Sequence, residues 1–412
     1  MNHAIMQKKS EIILINITGK DKPGVTAALT EILAQNDAVI LDIGQADIHN
    51  TLSLGILFQS NDGNSGEIMK EVLFKGYELD VNINFRPISN STYSEWVSMQ
   101  GKNRYIVTVL GRRVTAKHIA SITRAVANQG MNIDDIRRLT GRIPLDEGMR
   151  APKASVEFSL RGTPNDKIFL QTELMRLSTE QDMDVSFQED SMYRRMRRLI
   201  CFDMDSTLIE TEVIDELAVR AGVGDKVKAI TEAAMRGEID FSESFKQRCA
   251  LLKGLDESVM EDIAKNLPIT EGTERLMRIL KKVGFKIAIL SGGFTYFGNY
   301  LKQKFGIDYV YANELEIING KLTGNYLGEI VDGKRKAELL NLIAQVENVD
   351  IRQTVAVGDG ANDLQMISRA GLGIAFHAKP KVKENAKQSI STIGLDGILY
   401  FLGYKDSYLE LE

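Results

Sequence analysis

The run Leu199-Ile200-Cys201-Phe202-Asp203-Met204-Asp205-Ser206-Thr207 decides how this chain is read: four apolar residues deliver two carboxylates to one point. The apolar run predicts a buried strand, and side chains alternate along a strand, so Asp203 and Asp205 can share one side of its end. Two acids held that close repel. A cation is therefore expected between them, and magnesium fits as a hard ion that prefers oxygen ligands. The spelling alone is weak, because Asp182-Met183-Asp184 repeats it in the same chain. That copy follows the polar stretch Leu177-Ser178-Thr179-Glu180-Gln181, so its carboxylates are expected to face water.

Three further motifs follow in order. Ser291-Gly292-Gly293 comes after the apolar run Ile287 to Leu290. Its glycines let backbone N–H groups turn toward an anion at a helix start, although an ordinary strand-to-helix turn has the same spelling. Lys336 opens a helix running through Lys336-Ala337-Glu338-Leu339-Leu340, and gains meaning only from its company. Gly358-Asp359-Gly360-Ala361-Asn362-Asp363 follows the strand-like Val355 to Val357. Acids near a helix N-terminus are favourable on dipole grounds alone. That does not account for two acidic turns, each after a buried strand. In an open parallel sheet such strand ends form the crevice where ligands bind.

With these four motifs in order, the chain from about Leu199 to its end resembles a haloacid-dehalogenase-type phosphatase, and within that family phosphoserine phosphatase. The resemblance implies a doubly wound parallel α/β core over 199–412 and hydrolysis of O-phospho-L-serine to L-serine and inorganic phosphate, the last step of serine biosynthesis. It implies Asp203 as the nucleophile that becomes an aspartyl phosphate, and Asp205 as acid, then base. It implies Mg2+ held by the Asp203 side chain, the Asp205 backbone carbonyl and Asp359, with Asp363 in support. Ser291, Gly292, Lys336 and Asn362 would bind the phosphoryl oxygens.

Between about 211 and 268 the sequence reads as several amphipathic helices, over Glu212 to Ala221, Asp225 to Met235, Ser242 to Lys253 and Glu257 to Asn266. These form the helical cap that the resemblance implies. There a glutamate nine residues after the nucleophile, here Glu212, would meet the substrate ammonium. Arg248, in Phe241-Ser242-Glu243-Ser244-Phe245-Lys246-Gln247-Arg248, would meet its carboxylate. Glu210 is a rival for the ammonium. Glu212 also reads as a first-turn helix acid, and Arg248 as a solvated partner of Glu243 or Glu257.

The first half of the chain repeats itself. Leu14 to Gly19 aligns with Val107 to Gly111, and Ile40 to Ile43 with Ile133 to Ile136, at offsets of 92 and 93 residues. Each copy reads strand, helix, strand, strand, helix, strand, with helices such as Gly24 to Gln35 and Ala116 to Gln129. That order suits a βαββαβ ferredoxin-like sandwich over 1–88 and again over 103–188. Thr18-Gly19-Lys20-Asp21-Lys22-Pro23-Gly24-Val25 resembles an ACT domain, a module that commonly senses amino acids. The second copy has Gly111-Arg112-Arg113-Val114 there instead, which favours pairing or scaffolding. A homodimer or higher homo-oligomer is expected.

Ser89 to Asn103 is polar, with an exposed Trp96, and separates the two copies. Arg194, Arg195, Arg197 and Arg198 form the sharpest basic cluster and read as a solvated or interdomain linker. With a net charge of −5, nucleic-acid and membrane partners are not expected. No run approaches the roughly 18 apolar residues of a membrane helix. The segment Met1 to Ser10 carries no hydrophobic signal core, and a cytoplasmic protein is expected. Cys201 and Cys249 are the two cysteines, so no disulfide framework is implied. His3, His49, His118 and His377 lack zinc spacing and read as surface or satisfied residues. Two other readings stay open: a phosphatase of this fold acting on another small phosphomonoester, and a regulatory binding protein whose phosphatase half is a relic.

Overall fold

The computed structural model describes residues 10–61, 63–99, 101, 103–142 and 152–409. The chain divides into two compact units, 1–102 and 103–412. In the first unit, strands β1 (Glu11–Lys20), β2 (Val39–Ile48), β3 (Thr51–Ser60) and β4 (Val81–Ile88) form an antiparallel sheet in the order β2-β3-β1-β4. Alternation puts Ile13, Ile15 and Ile17 of β1 and Leu52, Leu54, Ile56 and Phe58 of β3 on one face. They pack against Val25, Leu29 and Leu33 of helix Val25–Gln35 and Ile68 and Val72 of helix Ser65–Leu79. Gly24 precedes the first of these helices with φ 95°, a left-handed conformation that disfavours side chains. Beyond β4 the polar segment is itself helical over Asn90–Ser98, capped by Ser89, whose Oγ accepts from the Thr92 N–H. Trp96 is half-buried rather than exposed, because helical spacing brings it against Tyr93 with ring centroids 5.9 Å apart.

The second unit begins with the same architecture. Strands β5 (Arg104–Gly111), β6 (Asn132–Arg138), β7 (Ala154–Arg161) and β8 (Asp184–Glu189) lie in the order β6-β7-β5-β8, with helices Ala116–Asn128 and Lys167–Glu180 between them. His118 is buried and closes a reciprocal cap: its Nδ1 accepts from the Thr115 N–H while Thr115 Oγ1 accepts from its own N–H.

The remainder builds a seven-stranded sheet from β9 (Leu199–Phe202), β10 (Lys286–Phe294), β11 (Tyr309–Ile318), β12 (Lys321–Leu327), β13 (Thr354–Gly358), β14 (Leu372–Phe376) and β15 (Gln388–Ile390). Their order is β12-β11-β10-β9-β13-β14-β15, and β12 alone runs antiparallel to its neighbour. The central strand is β9, covered on both faces. Ile200 and Phe202 pack into the core containing Leu276, Phe297 and Leu301, and Leu199 and Cys201 into the one with Leu339, Leu340 and Met366. This two-faced burial explains why its four residues read as a continuous apolar run. The cap helices are Val213–Arg220, Gly224–Met235, Phe241–Leu251 and Ser258–Lys265. They leave and re-enter the core at an Ile209–Ile269 bridge, with Glu210 N–H donating to Pro268 O and Thr270 N–H to Leu208 O.

Two sequence expectations are overturned where the second ferredoxin-like domain meets this core. Asp182 is exposed, but Asp184 is 1% exposed. Its carboxylate accepts from Ser391 N–H (2.7 Å), Thr392 N–H (3.0 Å) and Thr392 Oγ1 (2.6 Å), donors 207 and 208 residues away that no local pattern announces. The arginine cluster is likewise half inward. Arg194 is buried against Glu157 at 2.7 Å, and Arg197 donates to Gln188 Oε1. Burial, then the nearby Arg194, lowers the Arg197 pKa to about 9. Arg195 and Arg198 stay exposed. Leu110 and Leu139 also belong to the core of the seven-stranded domain. Among the described residues, no helix is long and apolar enough to cross a membrane.

Asp184→Ala strips three donors of their acceptor, and losing hydrogen bonds to a charged group costs about 1.5–3 kcal/mol. Thermal unfolding of the variant should begin several degrees below that of the parent, whereas Asp182→Ala should leave it unchanged.

Candidate active site

The site forms where β9, β10 and β13 end side by side. Asp203 follows β9, its N–H donating to Val357 O of β13 and its Oδ1 accepting from the Met204 N–H at 2.7 Å. Lys336, fully buried, lies 2.9 Å from Asp203 Oδ1 and donates to Asp363 Oδ1 at 2.7 Å. It is aimed by its helix, Gly333–Val346, whose first turn is capped by Asp332 accepting from the Arg335 N–H. Asp363 is fixed from its other side, Oδ2 accepting from the Gly360 N–H at 2.9 Å. Thr207, also fully buried, places its Oγ1 3.4 Å from Asp359 Oδ1.

The electrostatics follow from crowding. Burial and then the Asp363 charge push Asp203 well above the usual carboxylate range, against the pull of Lys336. Burial and then Asp363 raise Asp359 to about 7. Burial works against the Lys336 ammonium, but Asp203 and Asp363 more than offset it and its pKa is raised. Asp203, Asp359 and Asp363 each offer a carboxylate oxygen within 4.8 Å of the others. Three acids with one ammonium leave net negative charge in a nearly dry place, so the donor set fits a hard divalent cation.

Asp205 turns its carboxylate away from that cluster. Its Oδ1 accepts from the Val213 N–H at the first turn of the cap, and its Oδ2 lies 3.4 Å from Ser291 Oγ. Burial and then Glu212 raise it to about 8, which keeps a proton available near neutral pH. Ser291 is fully buried, and its Oγ accepts from the Gly293 N–H at 2.9 Å. Gly293 has no room for a side chain, since a Cβ there would lie 2.2 Å from Asp205 Oδ2. Gly292 is roofed from the cap, a Cβ falling 2.8 Å from the Phe241 ring.

From the cap, Glu212 accepts from Ser206 Oγ at 2.8 Å and raises both Asp205 and Asp359, which places it beside the cluster. Glu210 is exposed instead, and its N–H serves the cap junction. Among the described residues, Arg248 forms no ion pair with Glu243 or Glu257; its Nε donates to Ser244 O. Burial lowers its pKa, and Glu212, Asp215 and Asp205 are the acids that oppose the shift, so it faces the site. Asn362 sits on the turn after β13, its backbone carbonyl against Gly333 at the start of the Lys336 helix. Sequence reasoning missed Thr207 and Asn313. The former lay inside a quoted motif; the latter is a single asparagine in β11 with no pattern around it.

Strand-end acids, a lysine at a helix start and a helical cap are the parts of a haloacid dehalogenase-like hydrolase, and the model of that family matches residues 197–371. ACT-domain models match 11–86 and 104–188. The chain is 39% identical to a phosphoserine phosphatase of Mycobacterium tuberculosis over 402 residues, covering 97% of this chain and 94% of that protein. It is 38% identical to one from Streptomyces coelicolor over 399 residues, covering 97% and 93%. Among solved structures it resembles a probable phosphoserine phosphatase of Vibrio cholerae, with TM-score 0.58 and 36% identity over 72% of this chain and 86% of that one. It therefore belongs to the phosphoserine phosphatases, in a form carrying two ACT domains ahead of the hydrolase, a family that typically uses a metal.

Gly293→Ala should displace the Asp205 carboxylate, and misplacing a reacting group by about 1 Å costs on the order of 10²-fold in rate. Steady-state kinetics should show that loss mainly in kcat, with the folded state retained.

Proposed function

We propose that this chain hydrolyses O-phospho-L-serine to L-serine and inorganic phosphate, as the last step of serine biosynthesis in the cytoplasm. The observation that carries the reading is the convergence of Asp203, Asp205, Ser291, Lys336 and Asp359 at three strand ends, with Glu212 and Arg248 facing them from the cap.

Asp203 attacks phosphorus as the bond to the serine oxygen breaks, forming an aspartyl phosphate. Asp205 gives its proton to the departing oxygen, then takes one from the water that attacks the same phosphorus; phosphate leaves and the Asp203 carboxylate is restored. Lys336, the Ser291 hydroxyl, the Gly292 backbone and Asn362 bind the phosphoryl oxygens. Lys336 also favours the ionised form of Asp203, which the reaction needs. Magnesium would be held by Asp203, the Asp205 carbonyl and Asp359, with Asp363 fixing Lys336 beside them. When bound it supplies positive charge against the phosphoryl oxygens. Glu212 takes the substrate ammonium and Arg248 its carboxylate, a planar group suited to a forked donor. The first ACT domain would bind an amino-acid effector, and the ACT domains would pair subunits into a homodimer or larger assembly.

Phosphate release from phosphoserine should require magnesium, disappear with a chelator and be undetectable in Asp203→Asn. Faster turnover of another small phosphomonoester would sink the substrate assignment. Arg248→Ala should raise KM for phosphoserine about 10–100-fold, the loss of a charged hydrogen-bonded contact, and change KM for p-nitrophenyl phosphate little. Magnesium should also raise the melting temperature of the parent by mass action, and do so much less in Asp359→Asn.

A further inference from the structure

The backbone that carries Ser291 leaves the sheet just where it meets the site. Pairing of β10 with β11 runs to Leu290 opposite Tyr311 and resumes only at Phe294 opposite Asn313. Four steps on β10 thus match two on β11, and Ser291, Gly292 and Gly293 bulge out of the ladder. Two consecutive glycines make the peptide between them free to rotate. Something outside the ladder has to hold it.

Asn313 does so. Its side chain is 1% exposed; Nδ2 donates to Gly292 O at 2.8 Å, and Oδ1 accepts from the Val331 N–H at 2.9 Å. In a planar trans peptide the C=O of Gly292 and the N–H of Gly293 point in opposite directions, so fixing one fixes the other. The Gly293 N–H donates to Ser291 Oγ, which in turn lies 3.4 Å from Asp205 Oδ2. That N–H occupies one lone pair of Ser291, while the hydroxyl itself is directed toward Asp205 Oδ2. Val331 immediately precedes Asp332, the cap of the helix that bears Lys336, so one amide joins the serine loop to the lysine helix.

We propose that Asn313 is a positioning residue for phosphoryl transfer, acting through the Gly292–Gly293 peptide on the Ser291 hydroxyl. This rests on the phosphomonoesterase reading above, and a parent protein that releases phosphate from no phosphomonoester would overturn that reading instead. Asn313→Asp keeps size and the acceptor for Val331 but loses the donor to Gly292. Asn313→Ser is smaller and neutral, and carries the same test should the buried carboxylate prevent folding. Each should lower kcat for phosphoserine and for p-nitrophenyl phosphate alike, by about tenfold or more, since the contact concerns the phosphoryl group common to both. The deciding measurement is a double-mutant cycle with Ser291→Ala. If Asn313 acts through Ser291, its substitution should cost little further kcat once the hydroxyl is gone. Losses that simply multiply, or an Asn313→Ser enzyme within twofold of the parent on both substrates, would overturn the proposal.

Discussion

Like charges forced together in a dry place are the constraint on which the rest of this structure depends. Asp203, Asp359 and Asp363 gather around a single ammonium, that of Lys336, at the ends of buried strands. Buried charges are tolerated only when paired and hydrogen-bonded. Every acid of the group accordingly has a fixed donor or a fixed neighbour: Met204 and Lys336 on Asp203, Gly360 and Lys336 on Asp363, Thr207 on Asp359. What remains is an excess of negative charge, and that excess makes the place receptive to a cation. A neutral cluster of the same shape would have no such appetite.

The rigidity of the scaffold and the mobility of the chemistry meet at Asp205. It stands two residues beyond the strand-end acid Asp203, yet its oxygens answer to the cap through Val213 and to the serine loop through Ser291. The acid/base role proposed for Asp205 needs this intermediate position, with the carboxylate near the strand-end acids but tied to the cap and the serine loop. The raised affinity of Asp205 for its proton comes from burial and then from Glu212, a cap residue, so the cap helps to set the acidity of that carboxyl.

Much of this was legible in the sequence because the determinants were local. A buried central strand needs apolar residues on both faces, so Leu199 to Phe202 announced itself, and the acids at its end could be placed. The cap helices were found to within one or two residues from their apolar period. The failures at Asp184 and Asn313 and the burial of Arg194 share one cause, long-range pairing. Asp184 looked solvated because its donors, Ser391 and Thr392, are supplied by the far end of the chain. Arg194 looked like part of a charged linker because its partner Glu157 comes from a strand 37 residues away. Asn313 carried no signal at all, since one polar residue in a strand gains a role only when two loops fold over it.

The way the second ACT domain is seated on the hydrolase also has a practical side. Arg112, in the loop where the first copy has its glycine-bearing turn, grips Glu271 with both terminal guanidinium nitrogens at 3.0 and 2.6 Å, two residues past the Ile209–Ile269 bridge where the chain returns from the cap. Lys153 joins Asp396 nearby, and Leu110 and Leu139 fill the hydrolase core itself. An excised enzyme cut at the apparent boundary near Leu199 would therefore lose side chains that complete its own core.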